Sequence, residues 1–400
     1  MKISNLNIET EPLQDRWLQK ADIDYRMFRE AKNYAVEKVR QNLKLFTYAF
    51  PYMVAQDGRY KACANDSWTN GFWSGSIWTA YALTGDKTFL DAGKIHSILY
   101  RERVDTDTHM QTHDVGFLYS LSAVADYKLT GSTEARETAI RAAYRLAQLY
   151  RPVPGIIQRC GDFDDPEDPF NGVFIVDGMN NVPLLFWAYE QTGDTFLYEA
   201  GYRHMKNSVE VMIKDGGRIV QHGIADVETG SMISDSNQSQ GKGGDDAAWA
   251  RGQAWAISGL PLSYDYTGDE TFLEAAKAVL FYFLNRMPSD LVANWDLYYT
   301  DDETQRDTSA SSIAVCGMFE LCEHLPDDDP DKENIKNAAF RIMETLTKKY
   351  LTKGEDENMG ILNAATYGFG WKGTNEPNLF GDYYYMEALN RILGNYKRFW

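Results

Sequence analysis

The chain has 400 residues, 44% of them hydrophobic, which is enough for a large buried core and excludes a disordered chain. Forty Lys and Arg against 58 Asp and Glu leave a formal charge of −18, which argues against nucleic acid and anionic membranes as partners. No apolar run approaches the ~20 residues that span a bilayer, and four cysteines without a CxxC pair suit a reducing compartment.

The first residues, MKISNLNIETEPLQDRW, carry neither the apolar stretch nor the small-residue cleavage site of a secretory leader, so a cytoplasmic protein is expected. No linker or low-complexity tract marks a boundary. The organisation expected is one catalytic domain over residues 1–400, with 1–24 as an N-terminal extension. Phe28, Ala31, Ala35, Val39, Leu43 and Phe46 then form the apolar stripe of a first long helix.

Four helix-turn-helix signatures follow, beginning at Thr84 (TGDKTFLDAGK), Thr130 (TGSTEARETA), Thr192 (TGDTFLYEAG) and Thr267 (TGDETFLEAA). In each, Gly85, Gly131, Gly193 or Gly268 reads as the left-handed residue closing one helix. Asp86, Ser132, Asp194 or Asp269 reads as the N-cap of the next. Phe at the third position of the following helix is expected to open the buried stripe in three copies. The copies are too irregularly spaced for a solenoid. Strands are scarce; residues 222–236 read as a hairpin turning near Glu228–Gly230. Helical hairpins joined by long, variable loops point to an all-α toroid of two concentric rings, with function on the loops at one end.

Segments rich in aromatic, glycine and polar residues mark that end. They are Asn65–Gly75, Thr112–Phe117, Val173–Asn181 and Trp249–Trp255, each at a loop-to-helix junction. Asp114 and Asp177 have a plain reading as N-caps or turn residues. The apolar run Val173–Val176 before Asp177 suggests instead a carboxylate in a low-dielectric setting, where burial raises its pKa toward that of a general acid. Asp114 is the candidate second carboxylate. His113 is either a hydrogen-bond donor in the site or a satisfied buried histidine. Arg251, between Trp249 and Trp255, is either a surface residue or a fork for a carboxylate beside a stacked sugar. The histidines lack metal-ligand spacing, and Asp327–Asp331 reads as a solvated acidic loop.

The stretches SWTNGFWSG, HDVGFLYS, IIQ, IVDGMNNVPLL, WARGQAW, RDTSASS and FGDYYYMEAL, in this order, resemble the unsaturated glucuronyl hydrolases, glycoside hydrolase family 88. The resemblance covers most of the chain from about Asn65 to Leu389. It implies an (α/α)6 barrel, no metal or organic cofactor, and a small unsaturated oligosaccharide as substrate; monomer and homo-oligomer both stay open. The implied reaction releases a 4,5-unsaturated uronic acid from the non-reducing end of lyase-generated, glycosaminoglycan-type oligosaccharides. It proceeds by hydration of an enol ether, so carboxylate-separation rules for attack at the anomeric carbon do not apply. Asp177 matches the general acid/base and Asp114 its companion. Trp68, His113, Gln240, Arg251 and Trp255 match the lining of the subsite, with His222 as a further histidine and Lys372 in the tail.

Three departures stand out. Arg159-Cys160 replaces a small residue and a tryptophan, SQGKGGDD around Gln240 replaces a shorter stretch, and TYGFGWKGTNE keeps Lys372 without its accompanying serines. Arg159 or Lys372 is therefore a candidate contact for a sulfate. Alternatives are an unsaturated rhamnogalacturonyl hydrolase on pectin fragments, a sugar 2-epimerase working through histidines, and a non-catalytic glycan-binding barrel.

Overall fold

A computed structural model describes the chain except residues 1, 4–7, 164, 236–239, 371 and 395, and the side chains of 2, 3, 8, 235 and 372. The described residues form twelve helices. In chain order α1 is Tyr25–Phe46, α2 Asn70–Thr84 and α3 Lys87–Asp105. Helix α4 (115–130) runs through Val115–Tyr119, a π segment Ser120–Val124 and Ala125–Thr130, and α5 is Thr133–Ala147. Helix α6 (178–192) joins Gly178–Asn181 to Pro183–Thr192, and α7 is Thr195–Met212. Then come α8 Ala250–Thr267, α9 Glu270–Asn285, α10 Thr308–His324, α11 Lys332–Thr345 and α12 Leu379–Leu393.

Helices α2, α4, α6, α8, α10 and α12 pack in that cyclic order, with α12 returning to α2, and the odd-numbered helices pack outside them. The protein is an (α/α)6 barrel. Sequence and ring position agree. Outer α1 is amphipathic, with Phe28, Ala31, Ala35, Val39, Leu43 and Phe46 buried on one face. Inner α8 is buried continuously from Ala250 to Ser263, as a helix surrounded by other helices must be.

Each expected hairpin joins an inner helix to the next outer one. Gly85, Gly131, Gly193 and Gly268 all take left-handed backbone, φ 67–75°. Asp86, Ser132, Asp194 and Asp269 accept hydrogen bonds from the first-turn N–H groups of the helices that follow. One expectation fails. Phe89 and Phe272 are fully buried, but Phe196 is 46% exposed. The Thr192 copy is one residue shorter between cap and Phe, so Phe196 falls at the second helical position and Leu197, buried, takes the third.

The anticipated hairpin exists as His222–Ala225 paired with Met232–Asp235, and Val173–Ile175 adds a third strand beside the first. Ser236 lies outside the described residues. The N-terminal segment packs on the barrel: Trp17 is buried, its Nε1 donating to the Leu284 carbonyl at 3.0 Å, and Arg286 pairs with Glu11. No helix among the described residues is long and apolar enough to cross a membrane.

Candidate active site

Asp114 and Asp177 are each the residue before the first turn of an inner helix, α4 and α6, yet neither side chain accepts a capping hydrogen bond. Both backbones are helical at these positions. An N-cap needs extended backbone to turn its oxygen onto the first N–H groups. The plain reading as caps therefore fails, and both carboxylates face one cavity of about 160 Å³. Its walls include Trp68, Thr112, His113, Arg159, Gln221, Gln240, Trp249, Arg251 and Tyr367.

The two segments are tied through one residue. The Arg159 N–H donates to the Val173 carbonyl at 2.8 Å, and the Arg159 carbonyl accepts from the His113 N–H at 2.9 Å. The strand leading into Asp177 and the turn carrying Asp114 are thus held by backbone bonds on either side of residue 159.

The carboxylates differ in their surroundings. Asp114 accepts from Thr112 Oγ1 at 2.8 Å and lies 3.3 Å from His113 Nε2. Burial pushes its carboxyl up, but His113, the Thr112 hydrogen bond and the charge of Arg159 together hold it below the usual value. Asp177 is 7% exposed and its Oδ1 has no partner among the described residues. Burial raises its pKa to about 6, with Asp114 adding to the rise and His113, Arg251 and Arg159 opposing it. The result is one ionised and one protonatable carboxylate on a shared cavity, a division of labour suited to acid/base chemistry.

Arg251 is buried and anchored: its guanidinium pairs with Asp307 at 2.9 Å and donates to the Thr366 and Tyr367 carbonyls. The fork is therefore largely occupied by the protein, and Nε is the atom left without a partner. His113 Nδ1 and Gln240 Oε1 are also buried and unpartnered among the described residues. Four such atoms belong to residues lining one small cavity, counting Asp177 Oδ1, and mark a place built for a polar ligand.

Trp68 lines this cavity and a neighbouring cleft of about 770 Å³, sharing Thr112 and Asp114 with both. It stacks on Phe380, ring centroids 5.8 Å apart. Trp255 does not line the cavity; one helical turn beyond Arg251, it is fully buried against Phe117 and Tyr384. His222 pairs across the sheet with Ile175 and is buried outside the lining. The Lys372 side chain lies outside the described residues. Gln221, Tyr367 and the anchoring Asp307 carry no strong local signal, although Asp307 stands inside RDTSASS. Among the described residues no cluster of His, Cys, Asp or Glu could hold a metal ion.

The family model described as Glycosyl Hydrolase Family 88 matches residues 44–396. The chain belongs to this family. It is 36% identical over 397 residues to the unsaturated chondroitin disaccharide hydrolase of Streptococcus pyogenes serotype M1, covering 98% of each chain. The crystal structure of the Streptococcus agalactiae unsaturated glucuronyl hydrolase superposes with a TM-score of 0.94 at 34% identity, over 98% of this chain and 99% of that one. An Asp-to-Asn mutant of the S. agalactiae enzyme, complexed with dGlcA-GalNAc6S, matches with a TM-score of 0.87 at 32% identity, over 98% and 99%. The chain is thus a glycoside hydrolase.

Proposed function

We propose that the protein releases a 4,5-unsaturated uronic acid from the non-reducing end of glycosaminoglycan-type disaccharides by hydrating the C4=C5 enol ether. The observation that carries this reading is the buried, uncapped Asp177 with its pKa near 6, facing an ionised Asp114 across one cavity.

Asp177 in its protonated form gives its proton to C4, and the developing positive charge is shared by C5 and the ring oxygen. The resulting carboxylate takes a proton from water as the water oxygen bonds to C5, returning Asp177 to its starting form. The C5 hemiketal then opens, and the neighbouring sugar leaves from C1 to yield a 4-deoxy keto acid. Asp114, held by Thr112 and His113, accepts hydrogen bonds from substrate hydroxyls and keeps Asp177 protonated by its own charge. Arg251 Nε and Gln240 orient the uronate, whose ring lies beside Trp68. The larger cleft beyond Trp68 receives the leaving sugar.

Histidine-based epimerase chemistry has little to stand on. Of the described cavity walls only His113 is a histidine, and buried His96 and His204 have pKa values pushed down to about 4 and about 3 by burial. In the same reading residues 1–400 act as one catalytic unit, with 1–24 its N-terminal extension. The four free thiols suit a reducing cytoplasm.

The test follows the enol-ether absorbance while the enzyme acts on unsaturated chondroitin, hyaluronan, heparin and rhamnogalacturonan disaccharides. Loss of absorbance with wild type but not with Asp177→Asn is expected on the glycosaminoglycan products. Turnover confined to the rhamnogalacturonan product would move the assignment to pectin, and no turnover on any member would overturn it.

A further inference from the structure

Arg159 is the unabsorbed cation of the catalytic cavity. Its side chain, half-buried, lines the same walls as Asp114 and Asp177. Its guanidinium carbon stands 4.9 Å from the centroid of the Phe170 ring. That contact is with an apolar ring, which engages the charge without taking up the N–H groups in a hydrogen bond. Among the described residues the guanidinium has no hydrogen bond and no ion pair. Arg251, on the same cavity, is committed to Asp307 and two carbonyls. Arg103, on the neighbouring cleft, is likewise spent on Asn65 and on the Ser67, Thr108 and His109 carbonyls.

A terminal unsaturated uronate carries one carboxylate, and the orphaned Arg251 Nε already offers it a buried charged donor. A second guanidinium, with no hydrogen bond among the described residues and set against Phe170, is surplus to that carboxylate. A planar fork of N–H donors on a mostly buried wall matches a tetrahedral anion, which can present two oxygens at once. The chain's net charge of −18 makes such a local cation all the more necessary for a doubly anionic substrate.

We propose that Arg159 is a specificity-determining residue that pairs with a sulfate ester flanking the scissile linkage, carried either at the 2-position of the unsaturated uronate or on the neighbouring sugar. The inference rests on the reading of the cavity as the unsaturated-uronide site. Residue 159 suits this role because its structural work is done by its backbone, so the side chain is free to meet ligand.

The experiment measures kcat/KM of wild type, Arg159→Gln and Arg159→Lys on three matched sets of unsaturated disaccharides: unsulfated, sulfated at the uronate 2-position, and sulfated on the neighbouring sugar. For one sulfated set, the ratio of sulfated to unsulfated kcat/KM is expected to fall at least tenfold in Arg159→Gln, and Arg159→Lys to recover part of it. Which set responds names the position of the sulfate. A ratio that stays within twofold on both sets overturns the proposal whatever the absolute rates, and would make Arg159 a carboxylate contact or a tuner of the aspartates. Wild-type turnover of the unsulfated set shows the underlying site reading to hold in either case. If wild type turns over nothing, both readings fall.

Discussion

Replacing Asp177 by Asn should abolish turnover and at the same time stabilise the fold, in a way that depends on pH. The folded pKa is about 6 against an ordinary value of 3.8, a difference of about 2 units. At ~1.4 kcal/mol per unit this is about 3 kcal/mol. The sign follows from proton binding. The folded state holds the Asp177 proton more tightly than the unfolded chain does, so between pH 3.8 and about 6 the unfolded state ionises first and wild type loses stability. Above about 6 the penalty is complete and constant; below 3.8 it is absent. Asn, neutral throughout, escapes it. With an unfolding entropy of ~2.1 cal/mol/K per residue over 400 residues, 3 kcal/mol corresponds to roughly 3–4 °C in Tm. Thermal melts of both proteins from pH 3.5 to 8 check this: the variant's advantage should open across the window and then level. An equal gap at every pH, or a less stable variant at pH 7, would show that the carboxylate is not desolvated and would remove the basis for its role as an acid.

The remaining expectations can be checked with the same proteins and assays. The kcat/KM of wild type should decline above pH about 6 as Asp177 loses its proton, and Asp114→Asn should move that limb to lower pH, because the Asp114 charge helps to raise Asp177. An unmoved limb would remove Asp114 from the coupling. Arg251→Ala strands Asp307, which is fully buried, and should cost about 3–5 kcal/mol in denaturant unfolding; a loss under about 1 kcal/mol would contradict the pairing. In Gly178→Ala the new methyl would stand 2.5 Å from His204 Nε2, so about 1–3 kcal/mol of stability should go. Because Gly178 follows Asp177, kcat should fall more than KM rises, and an unchanged kcat would show that Asp177 tolerates the shift.

The barrel was legible because its punctuation is local. A Thr-Gly-Asp or Thr-Gly-Ser sequence closes one helix with a left-handed residue and caps the next, and such rules operate within a few residues. Phe196 shows the limit: the motif looked conventional, but one missing residue rotates the ring by a full helical position and exposes it. At the site, the apolar run before Asp177 signalled the burial found there, whereas Trp255, which the family resemblance set in the subsite lining, is buried outside the cavity walls. The commitment of Arg251 to Asp307 could not be read, since the partner is 56 residues away, at the cap of another inner helix, and buried ion pairs carry no spacing rule. The ladder through residue 159 was equally silent, because it consists of single backbone bonds joining a short strand to two irregular segments.

That ladder explains why this site can keep its chemistry and change its preference. The turn holding Asp114 and the strand entering Asp177 both hydrogen-bond to the backbone of residue 159, using its carbonyl on one side and its N–H on the other. Any residue but proline supplies those two groups. The position is therefore tightly constrained in its main chain but by no hydrogen bond or ion pair of its side chain among the described residues, while that side chain lines the wall shared by both carboxylates. A substitution here alters what the cavity recognises without moving the groups that react. Arg159 carries a cost in the same arrangement. Its charge lowers the pKa of both aspartates, so it works against the protonated state that Asp177 needs. A cation placed beside a general acid in spite of that opposition is accounted for by an anion that neutralises it when substrate is bound. Binding of a sulfate there would relieve the pull on Asp177 and raise its pKa in the complex, joining recognition of the anion to readiness of the acid.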